Sequence, residues 1–436
     1  MTTFIIRDYP DLDHIFPIMH TFLKKNEFIN LLNFEINLDL SSDPRIIFLN
    51  TNFQNNIKIY DVYNIKGKRF LIDKLINFLS SQKYKKINFK NLKNIKKEMS
   101  LFNFLFSIII SFGKKIIFKS NGFYSNFLFG NKWAQNIFNS LKISSLVIDD
   151  SYYFNYHRPQ SLIGIIKKKK IKITLVPHTC YMFSSHEDLE NLKSKKLNNF
   201  YANIVVTSEK MKNIFNTCGI NSSKIKNLGS ARFSKENLDC LKLIYDENIE
   251  PKIDGHINKK IKVLYIDGSY DSNYEKNEMI KKISGLNFIN LVVKAHPRGI
   301  FISKKSNSKR KNIENTDSLN FKVDTLTPTK QLIDNSDIII GTYSSILVEA
   351  MLSYKQIILP KYFLKDKIDF KIFYEDFGFA KICQNLSQVT LFLNEFQKKP
   401  QEEVNKEKIN KFVKEYVYGG EIDSSNTMDR YFNLIK

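Results

Sequence analysis

Short apolar runs rich in Ile, Val, Leu and Phe alternate along the chain with longer segments whose apolar residues recur every three to four positions. Continuous apolar runs mark strands buried on both faces, and the 3.6-residue period marks the helices that cover them. In the first half this pattern predicts strands at Phe4–Arg7, Arg45–Leu49, Ile87–Phe89, Ile116–Phe118, Leu146–Asp149, Ile173–Val176 and Ile204–Val206. Helices are expected between them, including Phe70–Leu79 and Asp13–Lys24, whose Ile15, Ile18, Met19 and Phe22 form one apolar face. A second series begins with Val263–Ile266 and continues through Leu291–Lys294, Phe321–Val323, Asp337–Ile340 and Gln356–Leu359.

Between the two series, Ser234 to Lys260 turns polar around Pro251 and Gly255, with a short helix over Leu238–Tyr245. The expected organisation is an α/β protein of two doubly wound, Rossmann-like domains. They span residues 1–233 and 261–405, joined by a connection at 234–260 and followed by a helical tail at 406–436 that breaks at Gly419-Gly420. Ligands of such sheets bind beyond the carboxyl ends of the strands, so the residues that matter should follow strands directly.

Composition narrows the classes. With 43% hydrophobic and 25% charged residues the chain has a globular composition, which excludes disorder, collagen-like repeats and a disulfide-stapled miniprotein. The excess of 67 Lys and Arg over 44 Asp and Glu gives +23, a charge that suits nucleic acid or an anionic membrane. Abundant Lys, Asn, Ile and Phe with few Ala, Gly and Pro read more simply as the residue bias of AT-rich codons. No nucleic-acid partner is expected, because no binding motif and no organised aromatic platform accompany the charge. Cys180, Cys218, Cys240 and Cys383 show no paired spacing, and Met1 to Asp8 lack a signal-peptide pattern, so a cytoplasmic setting is expected. The apolar stretch Leu101–Phe112 is shorter than the ~20 residues of a spanning helix. Lysines before it, and the run Lys167–Lys170, suit either a peripheral contact with an anionic membrane surface or a solvated face.

The candidate chemistry follows the strands. Lys294-Ala295-His296-Pro297-Arg298 puts an imidazole and a guanidinium at a strand end, both able to bind phosphate oxygens. Asp337 to Ala350 runs from a buried strand through Gly341-Thr342-Tyr343-Ser344-Ser345 into a helix bearing Glu349. Its hydroxyls and N-terminal amides would suit an anion, with Ser or Thr as the helix cap. The structural alternatives are a strand-ending histidine and a capped helix with a solvated glutamate. Leu175-Val176-Pro177-His178-Thr179 makes His178 a candidate base, and Val147-Ile148-Asp149-Asp150 ends another strand in two carboxylates that would orient it or act in its place.

Taken together, the His-Pro turn and the Gly-Thr-Tyr-Ser-Ser-helix-Glu element resemble the donor half of the GT-B architecture. The resemblance is to CDP-glycerol glycerophosphotransferases of wall teichoic acid synthesis, capsule-type Kdo transferases, and bacterial sialyl- and polysialyltransferases. It implies a glycosyltransferase or glycerophosphotransferase of surface-polysaccharide synthesis that uses a cytidine-nucleotide-activated donor and a saccharide or lipid-linked acceptor. The first domain would face the acceptor. The second would hold the donor with His296, Arg298, Gly341, Thr342, Ser344 and Ser345 at its phosphates, Glu349 at its ribose and Gly268 giving a backbone N–H. Asn227-Leu228-Gly229-Ser230-Ala231-Arg232 is similar to a family turn whose Arg232 would face the diphosphate, and Gly419 to Ser425 to a C-terminal turn. No cofactor is implied, and no His, Asp and Glu cluster stands out, so metal-independent transfer is expected. A UDP-N-acetylglucosamine 2-epimerase-like or UDP-sugar-using enzyme of the same fold is the alternative, and a nucleic-acid-binding protein the non-enzyme one.

Overall fold

The computed structural model describes residues 1–6, 9–34, 40–61, 131–149, 160–178, 202–245, 260–267, 273–294, 321–324, 327–342, 345–363, 378–399 and 404–436. The expected elements Phe70–Leu79, Ile87–Phe89, Leu101–Phe112 and Ile116–Phe118 lie outside them. The first unit contains β1 (Thr2–Ile6), α1 (Tyr9–Lys24), β2 (Ile29–Asn33), α2 (Pro44–Phe53), β3 (Ile57–Asp61), α3 (Asn131–Leu141), β4 (Ser145–Asp149), α4 (Gln160–Lys168), β5 (Lys172–Val176), β6 (Asn203–Val206), α5 (Glu209–Thr217) and β7 (Ile225–Asn227). These strands form one parallel sheet in the order β3-β2-β1-β4-β5-β6-β7.

After α6 (Lys235–Tyr245) come β8 (Ile261–Ile266), α7 (Asn273–Ser284), β9 (Ile289–Lys294), β10 (Phe321–Asp324), α8 (Thr329–Asp334), β11 (Ile338–Gly341), α9 (Ile346–Leu352), β12 (Gln356–Pro360), β13 (Lys381–Cys383) and α10 (Leu386–Lys398). They build a second parallel sheet, β10-β9-β8-β11-β12-β13. Both sheets are doubly wound, with the strand order reversing between β1 and β4 in the first and between β8 and β11 in the second. Those two crevices are where an open α/β sheet takes ligands.

Among the described residues, the one predicted strand that the structure replaces is Arg45–Leu49, which lies in α2. The Asp43 side chain accepts from Arg45 N at 2.9 Å and Pro44 fills the first helical position. This cap and the preset proline φ outweigh the strand preference of Ile46-Ile47-Phe48. The short strands β2, β3, β7 and β13 were not legible as separate apolar runs.

Two late helices tie the units together. On α11 (Lys406–Tyr416), Ile409, Phe412, Val413 and Tyr416 are buried in one apolar cluster with residues of both sheets, and the helix packs on α5 and α9. Then α12 (Thr427–Ile435) returns to the first unit, where Met428, Tyr431 and Ile435 enter the core beside α1 and β1. Between them the chain passes closely against the turn after β7. Gly419 N donates to Thr207 O at 3.0 Å, Ser230 N to Val417 O at 2.7 Å, and the Tyr431 hydroxyl to Gly229 O at 2.8 Å. Both Gly229 (φ +81°) and Gly419 (φ +70°) are left-handed there. A methyl group on Gly229 would stand 2.9 Å from the Tyr418 carbonyl carbon, so the approach requires glycine. No helix among the described residues is long and apolar enough to cross a membrane.

Candidate active site

The carboxyl edge of the first sheet gathers ionisable groups from five elements. Asp149 is the last residue of β4 and fully buried, and His178 follows β5 by two residues. The parallel register sets Asp149 beside Val176, and through Pro177 the imidazole reaches back to it. His178 Nδ1 lies 2.7 Å from Asp149 Oδ1, a hydrogen bond that fixes the ring while its side chain keeps 20% exposure to the cleft. A carboxylate on one ring nitrogen leaves the other to exchange protons with a ligand.

The start of α1 adds three groups that the strand-end motifs did not reveal. Asp11 and His14 are buried, three residues apart on one helical face, with Asp11 Oδ1 4.0 Å from His178 Nδ1 and the two imidazole centroids 5.0 Å apart. Burial, joined by the positive fields of His178, Arg232 and Arg45, holds His14 well below the ordinary histidine range, so it is neutral. Asp13 lies between two guanidinium groups. Arg45 of α2 binds it and also holds Asp43 at 2.8 Å, and Arg232 approaches it at 3.2 Å. Burial pushes the Asp13 carboxyl up, but Arg232 and Arg45 outweigh it and keep it below the usual carboxylate range. For Arg45 burial opposes the charge, yet Asp13 and Asp43 raise its pKa well above the ordinary value.

Arg232, in the turn between β7 and α6, spans the two units. Its Nη2 lies 2.8 Å from Glu349 Oε1 on α9, and its Nη1 donates to Ser345 Oγ at 3.3 Å. The result is an alternating chain, Asp43–Arg45–Asp13–Arg232–Glu349, leading from the first sheet to the helix after β11. Two of the expected donor-side residues thus have partners within the chain. Glu349 accepts from Arg232, and Ser345 takes helical dihedrals (φ −60°, ψ −19°) with no side-chain bond to its own helix. Helical dihedrals turn its hydroxyl away from the amides that an extended cap would meet.

Gly341 ends β11 against Leu347 and Ile266, and Thr342 behind it is buried. Asp337 accepts from Lys262 N at 2.8 Å and so pins β11 to β8, while the Lys294 ammonium donates to Thr327 O at 2.6 Å and is directed at that loop. Asp150, Gly268, His296, Arg298 and Ser344 lie outside the described residues. A cavity of about 650 Å³ between α6, α8 and the tail includes Glu349, Lys235, Tyr354 and Ser424 in its wall, but neither His178 nor Asp149.

His14, Asp149 and His178 also offer one metal-ligand atom each within 4.8 Å of one another. The sequence, in which no His, Asp and Glu cluster stands out, does not announce this group. Their positions are 164 residues apart in sequence at the widest, so no ligand spacing could reveal them.

No protein-family profile matches the chain, and no curated protein does. Solved structures match it along its whole length. Staphylococcus aureus MnaA with UDP is 11% identical over 100% of this chain and 95% of that one, with a TM-score of 0.54. The UDP-GlcNAc 2-epimerase of Neisseria meningitidis bound to UDP-GlcNAc is 12% identical over 99% of each chain, TM-score 0.53. Anabaena HepE in complex with UDP and glucose is 9% identical over 99% of this chain and 98% of that one, TM-score 0.52. At such identity the likeness bears on the fold, and it agrees with two Rossmann-like domains of GT-B type.

Proposed function

We propose that the protein is an enzyme acting on a nucleotide-activated sugar held between the two sheets, with His178 as its acid–base group. The observation that carries this reading is the 2.7 Å contact of His178 with buried Asp149, located at the crevice where the first sheet reverses. Asp149 would hold the ring and stabilise it when protonated, and the exposed part of the imidazole would exchange a proton with a sugar or acceptor hydroxyl. Arg232 would exchange Asp13 and Glu349 for the diphosphate, since a more highly charged ligand competes for the same guanidinium. Thr342, Ser345 and the turn around Gly341 would line the nucleotide side, with Ser344, His296, Arg298 and Gly268 as further candidates.

A uridine nucleotide is the favoured donor, because the proteins of like fold carry UDP or UDP-GlcNAc in their names. This moves the epimerase-like or UDP-sugar-using alternative ahead of the cytidine-dependent transferase. The cytidine reading keeps one support, the signatures at Lys294–Arg298 and Asp337–Ala350; a saccharide or lipid-linked acceptor and a membrane-facing lysine surface belong to it. Thermal-shift titration with UDP, UDP-GlcNAc, CMP and CDP tests the choice, followed by proton NMR of UDP-GlcNAc incubated with the protein alone. Uridine-selective stabilisation with a new sugar epimer supports the first reading, and cytidine-selective stabilisation supports the second. No response to any nucleotide overturns both. His178→Ala should abolish turnover and leave nucleotide binding largely intact.

A further inference from the structure

The cluster His14, Asp149 and His178 has the chemistry of a binding site in its own right. We infer that it takes one divalent cation of zinc type, with these three side chains as its protein ligands. Zinc holds nitrogen and oxygen ligands at about 2.0–2.2 Å, so the ligand atoms of a tetrahedral site stand roughly 3.3–3.6 Å apart. Here every pair of ligand atoms is within 4.8 Å, and His178 Nδ1 and Asp149 Oδ1 are 2.7 Å apart. Side-chain rotations of about an ångström therefore bring the set to bonding distance without moving a strand or helix.

The three side chains stand on β4, on the residue pair after β5 and on α1, whose backbones are fixed by the sheet register and by the core around Ile15 and Ile18. Such placement on regular elements is what a coordination site needs. Two imidazoles with a carboxylate select zinc-like ions over magnesium, which prefers oxygen ligands and keeps its water. His14 is buried, and its ring centroid lies 5.0 Å from that of His178. Asp11, one helical turn before His14, lies 4.0 Å from His178. Among the described side chains, Asp11, Asp13, Asp43, Asp149 and Glu349 bring more negative charge to this edge than Arg45 and Arg232 neutralise.

A cation on His178 Nδ1 displaces the Asp149 contact that fixes the ring, and its charge disfavours a proton on the other nitrogen, so zinc would inhibit turnover; this consequence rests on the proposed function, whereas the binding does not. The full chain, stripped with EDTA and desalted, is titrated with zinc chloride by calorimetry against a chromophoric chelator. One equivalent should bind with a dissociation constant below about 10 µM, unaffected by millimolar magnesium. His14→Gln and His178→Gln, with folding checked by circular dichroism, should each weaken binding at least about 100-fold, and His20→Gln should leave it unchanged. Should either variant fail to fold, Asp149→Asn takes its place. Less than half an equivalent bound at saturating zinc, or wild-type affinity in any folded ligand variant, overturns the site. Stoichiometric binding that leaves turnover untouched keeps the site and overturns His178 as the acid–base group.

Discussion

Substituting alanine for Gly229 isolates the energetic weight of the contact between the turn after β7 and the tail. The molecule supplies its own control in Gly219, at φ +82° with nothing within 4 Å of an added methyl. An L-residue in the left-handed region costs about 1–2 kcal/mol, and the lost freedom of the unfolded chain returns about 0.4–1 of it. Gly219→Ala should therefore destabilise by about 1 kcal/mol. Gly229 has nearly the same φ, +81°, but its methyl would meet the Tyr418 carbonyl carbon at 2.9 Å, Val417 O at 3.0 Å and Tyr418 Cα at 3.1 Å. These are backbone atoms tied by the Ser230 N to Val417 O bond, so they cannot swing aside as a side chain would. Overpacking of this kind adds about 1–3 kcal/mol, giving about 2–4 in all for Gly229→Ala. At about 2–4 °C per kcal/mol for units of this size, differential scanning calorimetry should show a fall of about 2–4 °C for Gly219→Ala and about 5–15 °C for Gly229→Ala. Urea unfolding should rank them the same way. If the two variants agree within about 0.5 kcal/mol, the close approach carries no weight and the reasoning is refuted.

Two further outcomes follow from charge. His20, ringed by Phe16, Phe48 and Phe53, is held neutral by burial, with a pKa lowered from 6.5 to about 4. The unfolded chain binds this proton first, so stability is full above pH 6.5 and falls as the pH drops to about 4; solvent screening reduces the loss to roughly 1–2 kcal/mol, and His20→Leu should flatten that part of the urea-midpoint profile. The Arg232–Glu349 pair, both side chains less than 15% exposed, should show a coupling of about 1–2 kcal/mol in a cycle of Arg232→Gln, Glu349→Gln and the double variant by urea unfolding, and strict additivity would mean that the bridge contributes nothing.

The second sheet was almost wholly legible, because strands buried on both faces, such as Ile338–Gly341, read as unbroken apolar runs. Asp149 and His178 were legible for the same reason, each standing just past such a run. Arg45 was concealed by Ile46-Ile47-Phe48-Leu49, whose strand-like composition obscured the stronger instruction of Asp43-Pro44. Asp11, Asp13 and His14 look like the polar first turn of an amphipathic helix. Only their position straight after β1, in the crevice where the sheet reverses, brings them to the candidate site, and that position depends on a strand order no local pattern contains. The similar turns at Asn227–Arg232 and Gly419–Ser425 were legible as separate motifs, while their direct contact was not.

The return of α12 to the first unit also has a bearing on synthesis. Phe432 packs on Phe22 with ring centroids 4.8 Å apart, Lys25 pairs with Asp429 at 2.7 Å, and Lys172 donates to the Leu434 carbonyl at 3.0 Å. Roughly two hundred residues separate β7 from this helix, which a ribosome adds in about 10–40 s. Through that interval the face of α1 that Phe432 covers is without this partner, so the packing of the first unit is completed only after the second unit has been synthesised.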